Sequence, residues 1–371
     1  MATQTTQLRI VSGNGIVTRD VLNTPLRDAE PSELPIIDVS GIFSATQADR
    51  QAVADQIRAA ATSTGFFYIA NHGIRAPVTD AACSASLDFF RQPAELKERA
   101  NTRHSRANQF KVGWKPPQSQ HINPFESVDR RESFSWVYHA AHDPSVGMDS
   151  VADIPPKVAA FLHADADGFP WTAAPPQLGA ALIPCWQAVL GLGRALVRSM
   201  ALALDLDEHA FDAKFTHPDA AMAVNYYRPL QPPTAEDVPD VSIGSHTDFQ
   251  LFTILWQDAA GGLQVLSREG QWLRAAPVPG TFVVNFGDYM QRITNDRFLS
   301  TVHRVQNRSG RERLSMAFFF GFNLDESCAV LDTCVAPGEE KRYDEVGCYE
   351  WMQRRLRAMQ VDLGAGKVAA A

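Results

Sequence analysis

The sequence has few cysteines, and they are not arranged as a covalent or metal-binding framework. The chain of 371 residues contains 5 cysteines, which are scattered and include no Cys-x-x-Cys pair. Disulfide-stabilised secreted domains and thiolate zinc sites need paired, closely spaced cysteines. The pattern therefore indicates ordinary reduced thiols, and we expect a cytoplasmic location.

Long apolar runs and a surplus of basic residues are also missing. The first residues are polar and rich in Thr and Gln, which predicts no secretory signal peptide. No run approaches the roughly 20 consecutive apolar residues of a membrane span. The net charge of −8 and the pI of about 5.7 disfavour a nucleic-acid surface, which needs a basic stripe. We expect a soluble protein without membrane or nucleic-acid partners; its oligomeric state stays open.

Two histidines and one aspartate have the spacing of metal ligands. His246 and Asp248 are two residues apart, so on a β-strand their side chains would leave the same face. His303 lies far enough along the chain to return on a neighbouring strand. Two His and one carboxylate on one face leave up to three positions of an ion open, as in non-haem Fe(II) oxygenases. An isolated His-x-Asp pair is weak evidence, but the ordered set favours a metal site.

An arginine and a serine follow the second histidine at the spacing of a carboxylate anchor. Arg313 and Ser315 would share one face of a strand. A guanidinium can donate two parallel charge-assisted hydrogen bonds to a carboxylate, and a neighbouring hydroxyl can add another. This pair therefore predicts a binding position for a carboxylate beside the metal.

The apolar pattern divides the chain into a mainly helical part and a β-rich part. Helical spacing predicts helices over residues 46–63, 79–99 and 178–204. From Ala221 the period changes to two, and short strands separated by Gly and Pro are typical of a sandwich or barrel. With metal ligands inside, the predicted fold is mixed α+β, a double-stranded β-helix (jelly-roll) core flanked by helices. We divide the chain into an N-terminal arm, a mainly helical region, the jelly-roll core and a C-terminal helical extension, at residues 1–33, 34–217, 218–325 and 326–371.

The chain resembles the 2-oxoglutarate- and Fe(II)-dependent dioxygenases of the isopenicillin N synthase-like group. The resemblance covers most of the sequence in the family's order. The matching segments are residues 225–229, 246–248, 261–265, 284–288, 300–305 and 313–315, with weaker matches at 34–38 and 65–73.

The resemblance implies a ferrous enzyme that uses O2. His246, Asp248 and His303 would be both the metal ligands and the catalytic residues. The co-substrate 2-oxoglutarate would chelate the ion through its 2-keto and C1 carboxylate groups. O2 would bind the remaining position once the substrate has displaced water.

The resemblance also implies the residues that bind the far end of the co-substrate. The C5 carboxylate of 2-oxoglutarate would lie on Arg313 and Ser315, with hydrogen bonds from Tyr227 and Asn225. A buried carboxylate needs such partners, because desolvating an unpaired charge costs several kcal/mol.

The substrate is less well defined by the sequence. The resemblance places Phe319, Phe249 and Lys111 next to it, although each is also compatible with a place in the core. The aromatic bias favours a small, largely apolar organic metabolite, as in secondary metabolism. Hydroxylation, desaturation or oxidative rearrangement, each with release of succinate and CO2, are all open.

The same residues are compatible with two other functions. An iron-dependent oxidase of the same fold would use O2 without 2-oxoglutarate. A catalytically silent jelly-roll protein would bind a small molecule without turnover, which the intact set of three ligands disfavours. Iron uptake and 2-oxoglutarate-dependent succinate formation distinguish the three functions.

Overall fold

The computed structural model describes residues 4–13, 15–105, 112–146, 156–159, 168–229 and 241–358. The region before the jelly roll alternates short strands with helices. Its elements are β1 Thr5–Ser12, β2 Gly15–Leu22, β3 Arg27–Asp28, β4 Ile36–Asp38, α1 Gln47–Ser63, β5 Phe66–Ala70, α2 Ala76–Phe90, α3 Ala94–Lys97, β6 Gly113–Lys115, β7 Arg131–Val137, α4 Pro156–Ala159 and α5 Pro176–Ala203.

The rest of the chain is mostly strands. Its elements are β8 Pro218–Tyr227, β9 Ile243–His246, β10 Phe252–Gln257, β11 Leu263–Leu266, β12 Trp272–Arg274, β13 Phe282–Phe286, α6 Asp288–Ile293, β14 His303–Val305, β15 Arg313–Asn323, β16 Ser327–Cys328, β17 Val346–Gly347 and α7 Cys348–Ala358.

Two sheets form the core. The major sheet has 8 strands in the order β4-β5-β13-β10-β15-β8-β7-β6, and the minor sheet has 5 in the order β3-β12-β11-β14-β9. Buried residues of both sheets, such as Tyr68, Val283, Leu263 and Val305, belong to one hydrophobic cluster, so the sheets pack face to face. The predicted fold, a jelly-roll core flanked by helices, is confirmed.

Period-two alternation gives the major sheet two different faces. On β8 and β15 the even-numbered residues Met222, Val224, Phe318 and Phe320 are buried in the large apolar cluster that includes the helices. The Phe318 ring lies 5.0 Å from that of Trp186 on α5. The odd-numbered residues therefore point away from the helices, towards the minor sheet.

The long helix α5 is a core helix of this fold. By length and composition it could cross a membrane, with a mean hydropathy of 1.5 over its most apolar window, but half of that window is buried inside the protein. Core helices of soluble proteins meet the same criterion. Its buried side, with Leu182, Val189 and Leu196, covers the outer face of the major sheet.

Two parts of the predicted organisation differ from the structure. The N-terminal arm, expected to be flexible or draping because it shows little periodicity, forms the antiparallel hairpin β1–β2, and β3 pairs with β12. The helix predicted over residues 79–99 ends at Phe90 and resumes as the short α3 after Pro93. Proline lacks an amide N–H and disfavours helical geometry in the residue before it. The division of the chain into four parts stays a prediction. Strands β4 to β7 precede residue 218, and they belong to the same major sheet as the strands of the jelly-roll core.

Candidate metal centre and co-substrate pocket

The minor sheet brings the three predicted ligands together. Strands β9 and β14 pair antiparallel with His246 opposite His303, so the second histidine returns on the neighbouring strand as predicted. Asp248 lies beyond the last residue of β9 rather than on it. The turn after the strand, and not strand alternation alone, therefore directs the carboxylate towards the histidines.

The donor atoms face one point. The Asp248 Oδ1 atom lies 3.7 Å from His246 Nε2 and 3.8 Å from His303 Nε2. One donor atom from each of the three residues lies within 4.8 Å of the others, and all three residues are buried. Two atoms bound to one ion at about 2.0–2.2 Å are at most about 4.4 Å apart, and the distances from Asp248 Oδ1 to the two histidine nitrogens, 3.7 and 3.8 Å, are below this limit. The spacing therefore suits a single ion, with the donor set of a facial triad.

Hydrogen bonds on the far side of each ligand orient it. The Nδ1 atoms of His246 and His303 pair with the carbonyl oxygens of Gly244, at 2.8 Å, and Thr301, at 3.1 Å. With Nδ1 protonated, each Nε2 presents its lone pair to the ion.

The aspartate is held in the same way by its second oxygen. Thr253 Oγ1 donates to Asp248 Oδ2 at 2.5 Å, and Asn285 Nδ2 donates to the same atom at 2.7 Å. Both donors are buried residues of the major sheet. The carboxylate is thus fixed with Oδ1 towards the histidines.

The electrostatics of this cluster favour the protonation states that a metal needs. Burial, followed by the neighbouring His303, lowers the pKa of His246 to about 3. Burial alone would raise the pKa of Asp248, but the two histidines and the bonds from Thr253 and Asn285 outweigh it and lower that pKa. Neutral imidazole and ionised carboxylate are the forms that bind metal ions.

The predicted carboxylate anchor lies at the end of the sheet beside this cluster. Arg313 is fully buried, donates from Nη1 to Ser315 Oγ at 3.1 Å and stacks 4.6 Å from the Tyr227 ring centre. The Tyr227 hydroxyl lies 3.4 Å from Ser315 Oγ. A further donor–acceptor pair joins Arg313 Nη2 to Gln257 Oε1 at 3.3 Å.

Arg313 has unused capacity for an anion. Its Nε has no hydrogen-bond partner among the residues described, and within that same set no carboxylate lies at ion-pair distance from it. A buried guanidinium in this state is costly unless an anion joins it. The hydroxyls of Ser315 and Tyr227 lie beside it, so the arrangement fits a ligand carboxylate.

A cavity of about 470 Å³ connects the anchor and the three ligands. This volume is within the range of small-molecule sites. Small side chains on the odd-numbered face of the major sheet leave this space open, since larger ones would fill it. They are Ser133, Ser135, Ala221, Ala223 and Ala317, all of which line the cavity.

The predicted substrate residues have different positions. Phe319 and Phe249 both line the cavity, whereas Lys111 lies outside the described residues. Lys115, four residues farther along, lines the cavity as well. Asn225, predicted to assist the co-substrate, is opposite Ser315 on the neighbouring strand, but its side-chain oxygen accepts a hydrogen bond from Arg131.

Arg131 is the main site residue that the sequence patterns did not lead us to predict. Its Nη1 donates to Asn225 Oδ1 at 2.6 Å and its Nη2 to Gln120 Oε1 at 3.1 Å, and it lines the cavity. Its Nε lies 3.6 Å from Asp129 Oδ2, so the two side chains form an ion pair but no hydrogen bond. Burial raises the pKa of Asp129 despite this guanidinium. The sign available in the sequence is that Arg131, Ser133 and Ser135 alternate with the aromatic residues Phe134 and Trp136 along β7.

Comparison with known proteins agrees with this geometry. Residues 218–322 match the 2OG-Fe(II) oxygenase superfamily, and residues 34–157 match the family described as non-haem dioxygenase in morphine synthesis N-terminal. The chain is 53% identical to the 2-oxoglutarate-Fe(II) type oxidoreductase ppzC of Metarhizium majus, over 96% of this chain and 95% of that protein. It is 32% identical to the oxidoreductase of the same type hxnY of Emericella nidulans, over 90% of this chain and 94% of that protein.

Solved structures share the fold. A full-length Neurospora crassa protein, crystallised in complex with alpha-KG and thymine, has a TM-score of 0.72 and 24% identity, covering 88% of this chain and 96% of that one. The rice dioxygenase for auxin oxidation has a TM-score of 0.64 and 24% identity, covering 88% and 95%. At these identities the likeness describes the fold.

Proposed function

The chain belongs to the 2-oxoglutarate–Fe(II) oxygenase superfamily, and from this we propose that it couples decarboxylation of 2-oxoglutarate to oxidation of a small organic metabolite held in its cavity. The products from the co-substrate are succinate and CO2. One observation carries the proposal: three buried donor atoms suited to one ion lie in the same cavity as an arginine that has no anionic partner among the described residues. A cytoplasmic location is part of the proposal.

The donor set fits Fe(II). His246 Nε2, Asp248 Oδ1 and His303 Nε2 would hold the ion and leave up to three positions open. The bound ion supplies the activation of O2, which side chains cannot provide. Thr253 and Asn285 keep the aspartate oriented during that chemistry.

The anchor fits the C5 carboxylate of 2-oxoglutarate. Arg313 and Ser315 would bind it, and the Tyr227 hydroxyl adds a third donor. Charge-assisted hydrogen bonds of this kind are about twice as strong as neutral ones. Leu255, Leu263 and Val305 are apolar residues of the cavity wall, which would shield the co-substrate from water.

Family membership favours this function over an oxidase that ignores 2-oxoglutarate. The decisive experiment incubates the purified protein with Fe(II), O2 and 2-oxoglutarate, with and without a metabolite panel, and measures succinate. We expect succinate to depend on both iron and 2-oxoglutarate. Iron-dependent oxidation that proceeds equally without 2-oxoglutarate would refute the proposal, and His246→Ala is the control for metal dependence.

A charge-neutral variant tests the anchor. Arg313→Leu should raise the 2-oxoglutarate concentration needed for half-maximal succinate formation by about tenfold or more, because charge-assisted bonds are lost. Metal affinity, measured by Fe(II) titration, should be unchanged. Arg308→Leu, at an exposed arginine of the loop that precedes β15, is the matched control. An unchanged co-substrate requirement in Arg313→Leu would place the carboxylate elsewhere.

A further inference from the structure

A second arginine faces the cavity from the opposite side of Tyr227. Arg131 on β7 and Arg313 on β15 both pair with Tyr227 on the strand between them. Neighbouring strands are about 4.8 Å apart, so the two arginines start about 10 Å from each other. The Arg131 side chain is 12% exposed and borders the cavity.

The hydrogen bonds of Arg131 position it without using all its donors. A guanidinium carries five N–H groups. Asn225 takes one from Nη1 and Gln120 takes one from Nη2, so each of these nitrogens keeps a second N–H. The Nε has no hydrogen-bond partner among the described residues. Both acceptors are neutral amide oxygens, which orient the cation and leave its charge in place.

The carboxylate of Asp129 compensates the positive charge of Arg131 only in part. Asp129 is fully buried, and its Oδ1 already accepts from the Gly244 N–H at 3.2 Å. Its other oxygen stays 3.6 Å from Arg131 Nε, beyond hydrogen-bond length. Among the described residues, Asp129 is therefore the carboxylate at ion-pair distance from Arg131, and it accepts no hydrogen bond from it.

We propose that Arg131 is a second carboxylate anchor and that the carboxylate it takes belongs to the metabolite being oxidised. The inference rests on the proposed function. In that function both carboxylates of 2-oxoglutarate already have partners, since C5 lies on Arg313 and Ser315 and C1 on the metal. The remaining arginine is therefore available to a third carboxylate. The substrate class becomes small carboxylic acids with an apolar body, which lies against Phe319 and Phe249.

Matched acids and amides test the anchor by binding rather than turnover. The protein is loaded anaerobically with Fe(II) and saturating 2-oxoglutarate, whose chelation gives a visible charge-transfer band. Phenylacetate with phenylacetamide, and hexanoate with hexanamide, are then titrated and followed by calorimetry and by that band. We expect acids to bind about tenfold more tightly than their amides. The band should persist, which shows that the acid has not displaced 2-oxoglutarate.

Four variants assign the preference for acids over amides to one side chain. Arg131→Gln should reduce the acid-to-amide ratio to within about twofold, while the affinity for 2-oxoglutarate stays unchanged. Arg131→Lys should retain part of the preference, and Arg130→Gln, at the exposed neighbour, should retain all of it. Because Arg131→Gln leaves Asp129 buried without its partner, the double variant with Asp129→Asn repeats the measurement with both charges removed.

The outcomes separate this inference from the proposed function. If no charge-transfer band forms with Fe(II) and 2-oxoglutarate, the proposed function fails. If the band forms but acids bind no better than amides, or not at all, only the Arg131 anchor is overturned. A loss of 2-oxoglutarate affinity in Arg131→Gln, with the acid preference intact, would assign Arg131 to the C1 carboxylate of the co-substrate and also overturn the inference.

Discussion

Thr253 and Asn285 bind one oxygen of Asp248 and leave the other facing the histidines. Both donors are buried and neutral, so they fix the direction of the carboxylate without competing for its charge. Partners of this kind around a metal ligand typically contribute 10–100-fold to metal affinity.

Removing the threonine hydroxyl tests this contribution at nearly constant shape. We expect Thr253→Val to weaken Fe(II) binding by about tenfold or more, measured by anaerobic titration. Thr62→Val on α1, at an exposed threonine, is the matched control. Unchanged iron affinity in Thr253→Val would mean that Asn285 alone orients the ligand.

Asp219 is a buried carboxyl in the cavity, and no cation pairs with it among the described residues. Burial raises its pKa from 3.8 to about 7, against a smaller opposite effect of Gln250. At a pH between 3.8 and about 7, Asp219 is ionised in the unfolded chain and protonated in the folded chain. The folded state therefore loses stability as pH rises through this window, and the loss is complete above about pH 7.

Asp219→Asn should remove this pH dependence. The stability of the variant relative to the unchanged protein should increase from about pH 4 to about pH 7 and then level off, by at most about 4 kcal/mol. Urea unfolding of the metal-free proteins at several pH values measures it. Asp55→Asn, at an exposed helix position, should show no such trend. A pH-independent difference for Asp219→Asn would show that this carboxyl is ionised throughout.

The C-terminal helix α7 and the N-terminal hairpin are joined next to the metal site. Arg355 is buried, pairs with Asp288 at 3.2 Å and donates to the Val11 carbonyl at 3.1 Å. The Trp351 indole donates to the Phe249 carbonyl at 2.7 Å. A Cβ on Gly13 would lie 2.0 Å from the Trp351 ring, so only glycine allows this contact. Helix α7 and the N-terminal hairpin thereby cover Phe249, the residue that follows Asp248.

Breaking the buried ion pair tests the importance of this junction. Arg355→Met should reduce the free energy of unfolding by about 3 kcal/mol, because Asp288 is left without its cation. Arg354→Met, at the exposed neighbour that pairs with Glu350, should change it by about 0.5 kcal/mol or less. Urea denaturation measures both. Equal effects of the two variants would show that the junction depends on apolar packing instead.

The histidine ligands and the carboxylate anchor lie on opposite sheets of the molecule. Both histidine ligands come from the minor sheet, and Arg313, Ser315 and Tyr227 come from the major sheet. A co-substrate that spans metal and anchor would therefore connect the two layers. Ligands that bind only the folded state stabilise it by mass action.

Metal and 2-oxoglutarate should consequently stabilise the fold cooperatively. Thermal unfolding is measured with Mn(II), which resists oxidation, with 2-oxoglutarate, and with both. We expect the combined rise in Tm to exceed the sum of the separate rises, since chelation needs the ion. His303→Ala should abolish the excess. Purely additive shifts would contradict a co-substrate shared between the two layers.

Patterns along the chain predicted several residues that the structure brings to one cavity. The identities of His246, Asp248, His303 and Arg313 followed from spacing and from a family resemblance, because local chain geometry and chemistry restrict such ligands to a few arrangements. The N-terminal hairpin was missed, since most of its residues are exposed and therefore carry little apolar periodicity. The break at Pro93 was present in the sequence, but helical spacing on both sides concealed it.

The sequence by itself determined the oxygenase family, the alternation of the strands and the types of residue that could bind metal and carboxylate. These are local properties, set by side-chain chemistry and by backbone periods. Only the tertiary structure decided that Asp248 turns towards the histidines from beyond its strand, and that Arg131 faces the cavity between Asn225 and Gln120. Both depend on contacts between residues distant in the chain, whose pairing follows from how the two sheets pack and not from any one segment.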